Sequence, residues 1–425
     1  MFIRHSPALP TIRKSLLQFV FAGAFMKRWN DKVRPMELVE VDKQAHKMIA
    51  AWALFELNSQ DLDPEERLAL GREVIEGGLF EYFYRLVITD IKPPIFYKIK
   101  DNPEHYRRLT DWVLTQLEPR LQPLGPEFRQ RLSRYLREEE TSEANGRARR
   151  ILYAAHLYAS NWEFNLIKGL NVADDEFQEI ETWFKEALNE HTDLIGVSQL
   201  LEGTSSPLGR FAHLCGQLRF QKRWSQTPRI PETSVIGHMF LVACYGYFFS
   251  MALGACNARA QNNFFTGLFH DLPELLTRDI ISPVKKSVSL LADLVKEYED
   301  LELKRRVLGP LEKGGLSPLA DRLAYFLGLE VGSEFYSAIR ENNTPRKVSL
   351  EELQAEYNQD HLDPKDGRML KVCDALAAFI EAYTALRNGI SSDQLQQALW
   401  RMRRDYKNVS LGESLHIGAL LADFD

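Results

Sequence analysis

His238, His270, Asp271 and Asp374 are the residues whose types and order suit metal chemistry in this chain. Imidazole and carboxylate together favour zinc or a divalent transition metal, and open coordination positions leave room for water and substrate. His238 alone reads as a hydrogen-bonded core histidine. The set reads differently, because a His-Asp pair on an apolar helix, beside a second histidine and another aspartate, is costly to bury without a cation. One divalent ion is therefore expected, with Mn, Co, Zn, Fe and Mg all open. On a continuous helix, adjacent side chains diverge by about 100°, and both still reach an ion at the helix's inward edge. Glu274 would share that face. Pro273 interferes: it removes an amide donor and clashes with the carbonyl of Phe269, so a kink or a new helix is expected there. By itself Glu274 is a solvated helix charge. Asp279, just before Ile280-Ile281-Ser282-Pro283, is by itself a turn or cap residue.

The elements that must position these residues are helices. Apolar residues recur at helical spacing, as in Phe240-Leu241-Cys244-Phe248 and Leu370-Cys373-Leu376-Ala377-Ile380. Period-2 alternation is nearly absent, and Asn145-Gly146 and Asn388-Gly389 lack the alternating flanks of hairpins. The fold class is all-α. The 425 residues suggest two domains or three. Glu138 to Ala148 and Gly203 to Pro207 read as exposed connectors. A net charge of −6 gives no footprint for duplex nucleic acid. Cys215, Cys244, Cys256 and Cys373 lack CxxC spacing and read as free, mostly buried thiols in a reducing cytosol.

Leu16 to Met26, preceded by Arg4, Arg13 and Lys14, has the look of a signal peptide. It is too short to span a membrane, and no other long uncharged apolar run is expected. The signal reading yields to an internal repeat. Phe25-Met-Lys27-Arg28-Trp29 matches Phe220-Gln-Lys222-Arg223-Trp224. His46 pairs with His238 if the first copy holds three residues more. Gly78-Leu-Phe80 matches Gly267-Leu-Phe269, Asp90-Ile91 meets Asp279-Ile280, and Pro94 meets Pro283. Leu152 to Glu163 runs in step with Leu370 to Glu381. Residues 16 to 26 then correspond to Phe211 to Gln221 and belong to a domain. The expected architecture is two helical bundles in tandem, residues 1–195 and 205–425, packed as an intramolecular pseudo-dimer with approximate two-fold symmetry. The first copy has Glu81-Tyr82 for His270-Asp271, Arg85 for Glu274 and His156 for Asp374. An arginine at the acid position repels a metal. His46, Glu81 and His156 are at most a relic, and the copy reads as structural or regulatory.

The string His270-Asp271-Leu-Pro-Glu274-Leu-Leu-Thr277-Arg-Asp279-Ile-Ile-Ser-Pro283-Val284-Lys285 resembles the bacterial HD-domain 5′-deoxyribonucleotidases. Arg223-Trp224 upstream and Lys371-Val-Cys-Asp374 downstream fall in that family's order. The resemblance covers roughly residues 205 to 390. It implies an HD-type fold and metal binding by His238, His270, Asp271 and Asp374. Arg223 and Asp279 would handle the phosphate and the attacking water or leaving group. Glu274 would transfer a proton, Trp224 would help read the sugar, and Lys285 would contact substrate. The segment from about Leu301 to Asp366, which precedes the last ligand, is expected to reshape the pocket.

Charge then sets the chemistry. A phosphomonoester dianion repels hydroxide, so a metal that acidifies water and offsets charge is useful. Arg223 would grip non-bridging oxygens, and a carboxyl would protonate the leaving oxygen. No P-loop or GxSxG suggests another route, and only His361 lies between Asp271 and Asp374, too few histidines for a binuclear centre. The expected substrate is a nucleoside 5′-monophosphate, in its deoxy form, in the cytoplasm, with no membrane and no duplex nucleic acid as partner. A dNTP, a signalling nucleotide, or nucleotide sensing with little turnover are the alternatives.

Overall fold

The computed structural model describes residues 11–138, 143–277 and 289–425. Among these the fold is all-α, and the strands form two-stranded pairs only. Six helices frame the argument: α1 (Glu40–Leu57), α2 (Pro64–Ile88), α3 (Glu143–Ile167), α4 (Val235–Ala252), α5 (Asn257–Phe269) and α6 (Gly367–Arg387). The first three pack on one another, the last three do likewise, and α1 and α4 pack together between the two groups.

The α4 helix carries no Asp, Glu, Lys or Arg, and it is long and apolar enough to cross a membrane by length and composition. It is the uncharged run that the expectation of none beyond residues 16–26 overlooked. Here 94% of it is buried within the protein. A helix apolar on every face belongs in a core when neighbours surround it. Ser234 starts it, its side-chain oxygen accepting from the Gly237 amide at 3.0 Å.

Aromatic side chains knit the two groups. Trp52 lies edge-on to Phe269, with centroids 4.7 Å apart, and Tyr82 lies edge-on to Phe240 at 5.1 Å. Phe83 stacks on Phe248. Of the Phe80–Tyr84 cluster, Tyr82 and Phe83 thus meet α4, whereas Phe80 packs on Phe128 and Tyr135 within its own half. The segment weighed as a signal peptide is a buried helix, Lys14–Phe21. Its Leu17 and Val20 carbonyls accept hydrogen bonds from the Tyr245 and Tyr82 hydroxyls.

Two local structures recur. Lys27 pairs with Val39 and Lys222 pairs with Ser234, each antiparallel and each followed at once by an 18-residue helix. Trp29 and Trp224 both take left-handed φ, 56° and 55°.

Helix α3 begins at Glu143, so much of the segment read as an exposed connector is helical. The helix formers Ala144, Arg147, Ala148 and Arg149 outweigh Gly146. The second connector is a short 3-10 turn, Gly203–Ser205, before a helix capped by Ser206. Within residues 301–366 a hairpin pairs Ala338–Glu341 with Thr344–Lys347. Its turn residues, Asn342 and Asn343, have φ of 51° and 62°, as a two-residue primed turn requires. An Asn-Asn pair thus makes this turn, without the Asn-Gly that marks most such hairpins.

Candidate metal centre

His238 sits in the first turn of α4. Asp374 lies on α6 and faces it, with Oδ1 3.1 Å from His238 Nε2. His270 and Asp271 are not mid-helix. Helix α5 stops at Phe269, His270 caps its end, and the turn through Pro273 leads to a new helix, Glu274–Thr277. Proline makes this break, as expected from its missing donor. It also frees the pair from helical divergence: Asp271 Oδ2 approaches both His270 Nε2 (3.3 Å) and His238 Nε2 (3.7 Å).

The set fits a divalent ion. One ligand atom each from His238, His270 and Asp374 lie within 4.8 Å of one another. His270 Nδ1 donates to the Gly267 carbonyl at 2.8 Å, which turns Nε2 inward. That buried Nε2 has no hydrogen bond, its 3.3 Å approach to Asp271 lacking the geometry for one. A backbone bond on one ring nitrogen and an unpartnered nitrogen turned to the site on the other is how metal-binding histidines are held. Electrostatics agree. Burial pushes the His270 imidazole down, but Asp271 and Asp374 outweigh it and raise it to about 9. Burial pushes the Asp271 carboxyl up, but His270, His238 and Arg223 hold it well below its usual range. Negative charge that retains a proton this firmly equally suits a cation that displaces it.

Glu381 is a further residue of the site that the sequence reading does not include. It is fully buried on α6. Its carboxylate accepts from Thr233 Oγ1 (2.9 Å), Trp224 Nε1 (2.9 Å) and Arg223 Nε (3.4 Å), and lies 3.5 Å from His238 Nδ1. Burial alone would raise its pKa, but Arg223, His238 and Arg229 hold it well below the carboxylate range. The 3.5 Å approach to His238 Nδ1 lacks hydrogen-bond geometry, so Glu381 acts on that far nitrogen through its charge, and a carboxylate so placed raises the basicity of a ligand ring. A signal was present: the repeated block runs Leu152–Glu163 and Leu370–Glu381, ending on glutamate both times.

Arg223 bridges Glu381 and Asp271, reaching Asp271 Oδ2 at 3.3 Å. Glu274 is buried and adds to the field on Arg223. The Trp224 indole N–H is taken by Glu381, so this ring positions the carboxylate. From the inserted segment, Phe335 packs against His270 at 6.1 Å between centroids, and Lys371 lies over the Phe335 ring. Asp279 and Lys285 lie outside the described residues. The cysteines are free, and all but the half-buried Cys256 are buried.

The first half corrects one pairing. His46 is not where His238 is. Its Nε2 bonds the Ala212 carbonyl at 2.9 Å and its ring packs edge-on to Trp162. Since α1 and α4 start at the same distance from their strand pairs, Lys43 stands at the position along α1 that His238 holds along α4. No three-residue insertion precedes it; matching histidine to histidine forced one. Lys43 Nζ donates to His156 Nδ1 at 2.9 Å, where the other half sets His238 against Asp374. Glu163 binds Arg28 Nε (2.8 Å) and Trp29 Nε1 (3.1 Å), as Glu381 binds Arg223 and Trp224.

The family model of the HD domain matches residues 215–403. This HD segment contains every described residue of the candidate centre. The match supports metal-dependent phosphohydrolase chemistry in general, with a divalent ion as cofactor. No curated protein and no solved structure matches the chain.

Proposed function

We propose that the HD segment removes phosphate from nucleoside 5′-monophosphates, deoxyribonucleotides above all. The observation that carries this reading is the convergence of His238, His270, Asp271 and Asp374 beside Arg223, a planar cation suited to phosphate. Those four residues would hold the ion. When bound, a divalent ion supplies Lewis acidity, activating water and offsetting charge on the phosphoryl oxygens. Arg223 grips two non-bridging oxygens with its forked donors. Glu274 gives a proton to the leaving 5′-oxygen. Glu381 keeps His238 and Arg223 oriented, and Trp224 keeps Glu381 in place. By the resemblance, Asp279 serves the phosphate or the water, and Lys285 the substrate.

The same reading takes residues 1–195 as a degenerate copy of residues 205–425, fused as a pseudo-dimer. The recurring strand pairs, left-handed tryptophans and Arg-Trp-Glu clusters support it. The protein would act in the cytoplasm on small phosphate esters, without a membrane or duplex nucleic acid. Phe335 against His270 favours the nearest variant, a different phosphate ester selected by the inserted segment.

The experiment is phosphate release from a panel of ribo- and deoxyribonucleoside mono- and triphosphates, with Mn²⁺, Co²⁺ or Zn²⁺ and with chelator, alongside metal analysis. Wild type should release phosphate from monophosphates only with metal. His238→Ala and Asp374→Ala should lose both metal and activity while remaining helical. Full activity in a chelated, metal-free sample removes the assignment.

A further inference from the structure

The first half holds a cavity of about 330 Å³ between α1, α2 and α3, within the roughly 300–1,000 Å³ of small-molecule sites. Where the HD segment gathers carboxylates, this cavity gathers cations. Lys43, in the place of His238, and Lys47 one turn on are both buried and both line it, as do Arg28 and Arg85. His156, opposite Lys43, is held neutral, because burial and then Lys43 and Lys47 lower it well below the ordinary histidine range. Glu40 is shared by Arg28, Arg85 and Lys43, at 2.7, 3.5 and 3.7 Å, and Glu81 pairs with Lys47. With Lys100 and Arg149, six basic side chains line the cavity against three carboxylates, Glu40, Glu81 and Glu138. Glu163 also pairs with Arg28 and Asp90 with Arg85, and burial lowers Lys43 to about 7 despite Glu40. The basic lining still outnumbers the acidic, so a dication is repelled and an anion, which would restore the Lys43 proton, is attracted.

The rest of the wall is aromatic. Tyr97 and Trp183 lie 6.0 Å apart, and Tyr153 stacks on His156. Tyr153 is 40% exposed and Trp183 37% exposed, so their rings remain open to a planar guest. Stacking on such rings suits any nucleobase. Buried ammonium groups at one end and open rings at the other match a phosphate joined to a flat heterocycle.

We propose that the first half is a metal-free binding site for a nucleoside monophosphate. The phosphate is held by Lys43, Lys47 and Arg85, and the base stacks between Tyr97, Tyr153 and Trp183. This site is separate from the HD segment and stands whether or not that segment turns over nucleotides.

The test is calorimetric titration of the full-length Asp374→Ala protein with AMP and with dTMP in EDTA, so that the HD segment contributes neither metal nor turnover. About one equivalent should bind. Adding Lys47→Met or Arg85→Gln should weaken binding at least tenfold, and Trp183→Ala, a change at the rim that leaves the buried lysines alone, should weaken it severalfold. Adenosine should bind at least tenfold more weakly than AMP. Circular dichroism establishes that each variant is folded; if Lys47→Met is not, Arg85→Gln and Trp183→Ala decide. The proposal is overturned if neither nucleotide binds, if Arg85→Gln and Trp183→Ala both bind as the parent does, or if adenosine binds as tightly as AMP.

Discussion

Ser234 donates a 2.7 Å hydrogen bond to Asp42 Oδ1 while its own oxygen accepts from the Gly237 amide. One hydroxyl therefore caps the helix that carries His238 and ties it to the first half. Both residues are buried, and Asp42 Oδ2 has no hydrogen bond. Burial raises the Asp42 carboxyl despite Lys222 and Arg219 nearby. Removing a cap costs about 1 kcal/mol. Stripping a buried acceptor of its donor costs roughly 1–3 kcal/mol more. Ser234→Ala should therefore destabilise the protein at least twice as much as Asp63→Ala, which removes an exposed cap from α2. Urea denaturation of both variants decides; equal losses would show that the bond to Asp42 contributes nothing.

Glu381 offers a sharper test of the centre than its ligands do, since it touches no metal position. Glu381→Gln keeps an oxygen for Trp224, which bonds Oε2, and sets its amide NH2 at the Oε1 position, where the Thr233 hydroxyl can turn to accept; it loses the charge facing His238 and Arg223. Metal affinity should fall by about 10–100-fold, the usual cost of losing an outer partner of a ligand histidine, with little change in helix content. Competition against a chelator of known affinity measures this, and an unchanged constant would leave Glu381 with a packing role only.

Glu274→Gln separates proton transfer from metal binding. Helix breakage at Pro273 places Glu274 at the start of its own short helix, buried near Arg223 and outside the ligand cluster. Full metal content with a loss of about 10²-fold or more in turnover is expected for a positioned acid. A near-wild-type rate would move the proton to another group.

Why these positions were unequally legible is a matter of what spacing encodes. The candidate ligands stood out because few residue types bind metals and four stood in order; the fold brings ligand atoms of three of them, His238, His270 and Asp374, within 4.8 Å of one another. The all-α class followed from apolar spacing, which local geometry forces. The turn at Asn342-Asn343 was missed because asparagine also supports left-handed φ. His46 misled for a different reason. Identity between residues suggested equivalence, whereas counting from the strand pair before each helix puts Lys43, not His46, at the position of His238. Glu381 carried one faint mark, the glutamate that ends both repeated blocks, but its role shows only once the arginine and tryptophan that it binds are in place.

The last prediction concerns the two halves. The first half does more than cover the second. Trp52 reaches Phe211, Phe269 and Phe326, and Tyr82 and Phe83 lie on Phe240 and Phe248. Arg219 is fully buried, its Nη1 bonded to Glu163 Oε1 at 2.8 Å and its guanidinium over the Trp162 ring. Breaking such a pair from one side costs about 3–5 kcal/mol, and each large aromatic contact adds to that. Both halves lie in one chain, so this packing does not depend on protein concentration. A fragment beginning near residue 200 loses Glu163 and exposes the apolar face of α4 together with Phe211 and Phe269. Exposed patches of that kind drive association. The fragment should aggregate or self-associate in sedimentation velocity. Arg219→Met in the full chain should be destabilised yet monodisperse, because the aromatic contacts remain. A monomeric, fully active fragment would refute the pseudo-dimer, since nothing in the second half would then require the first.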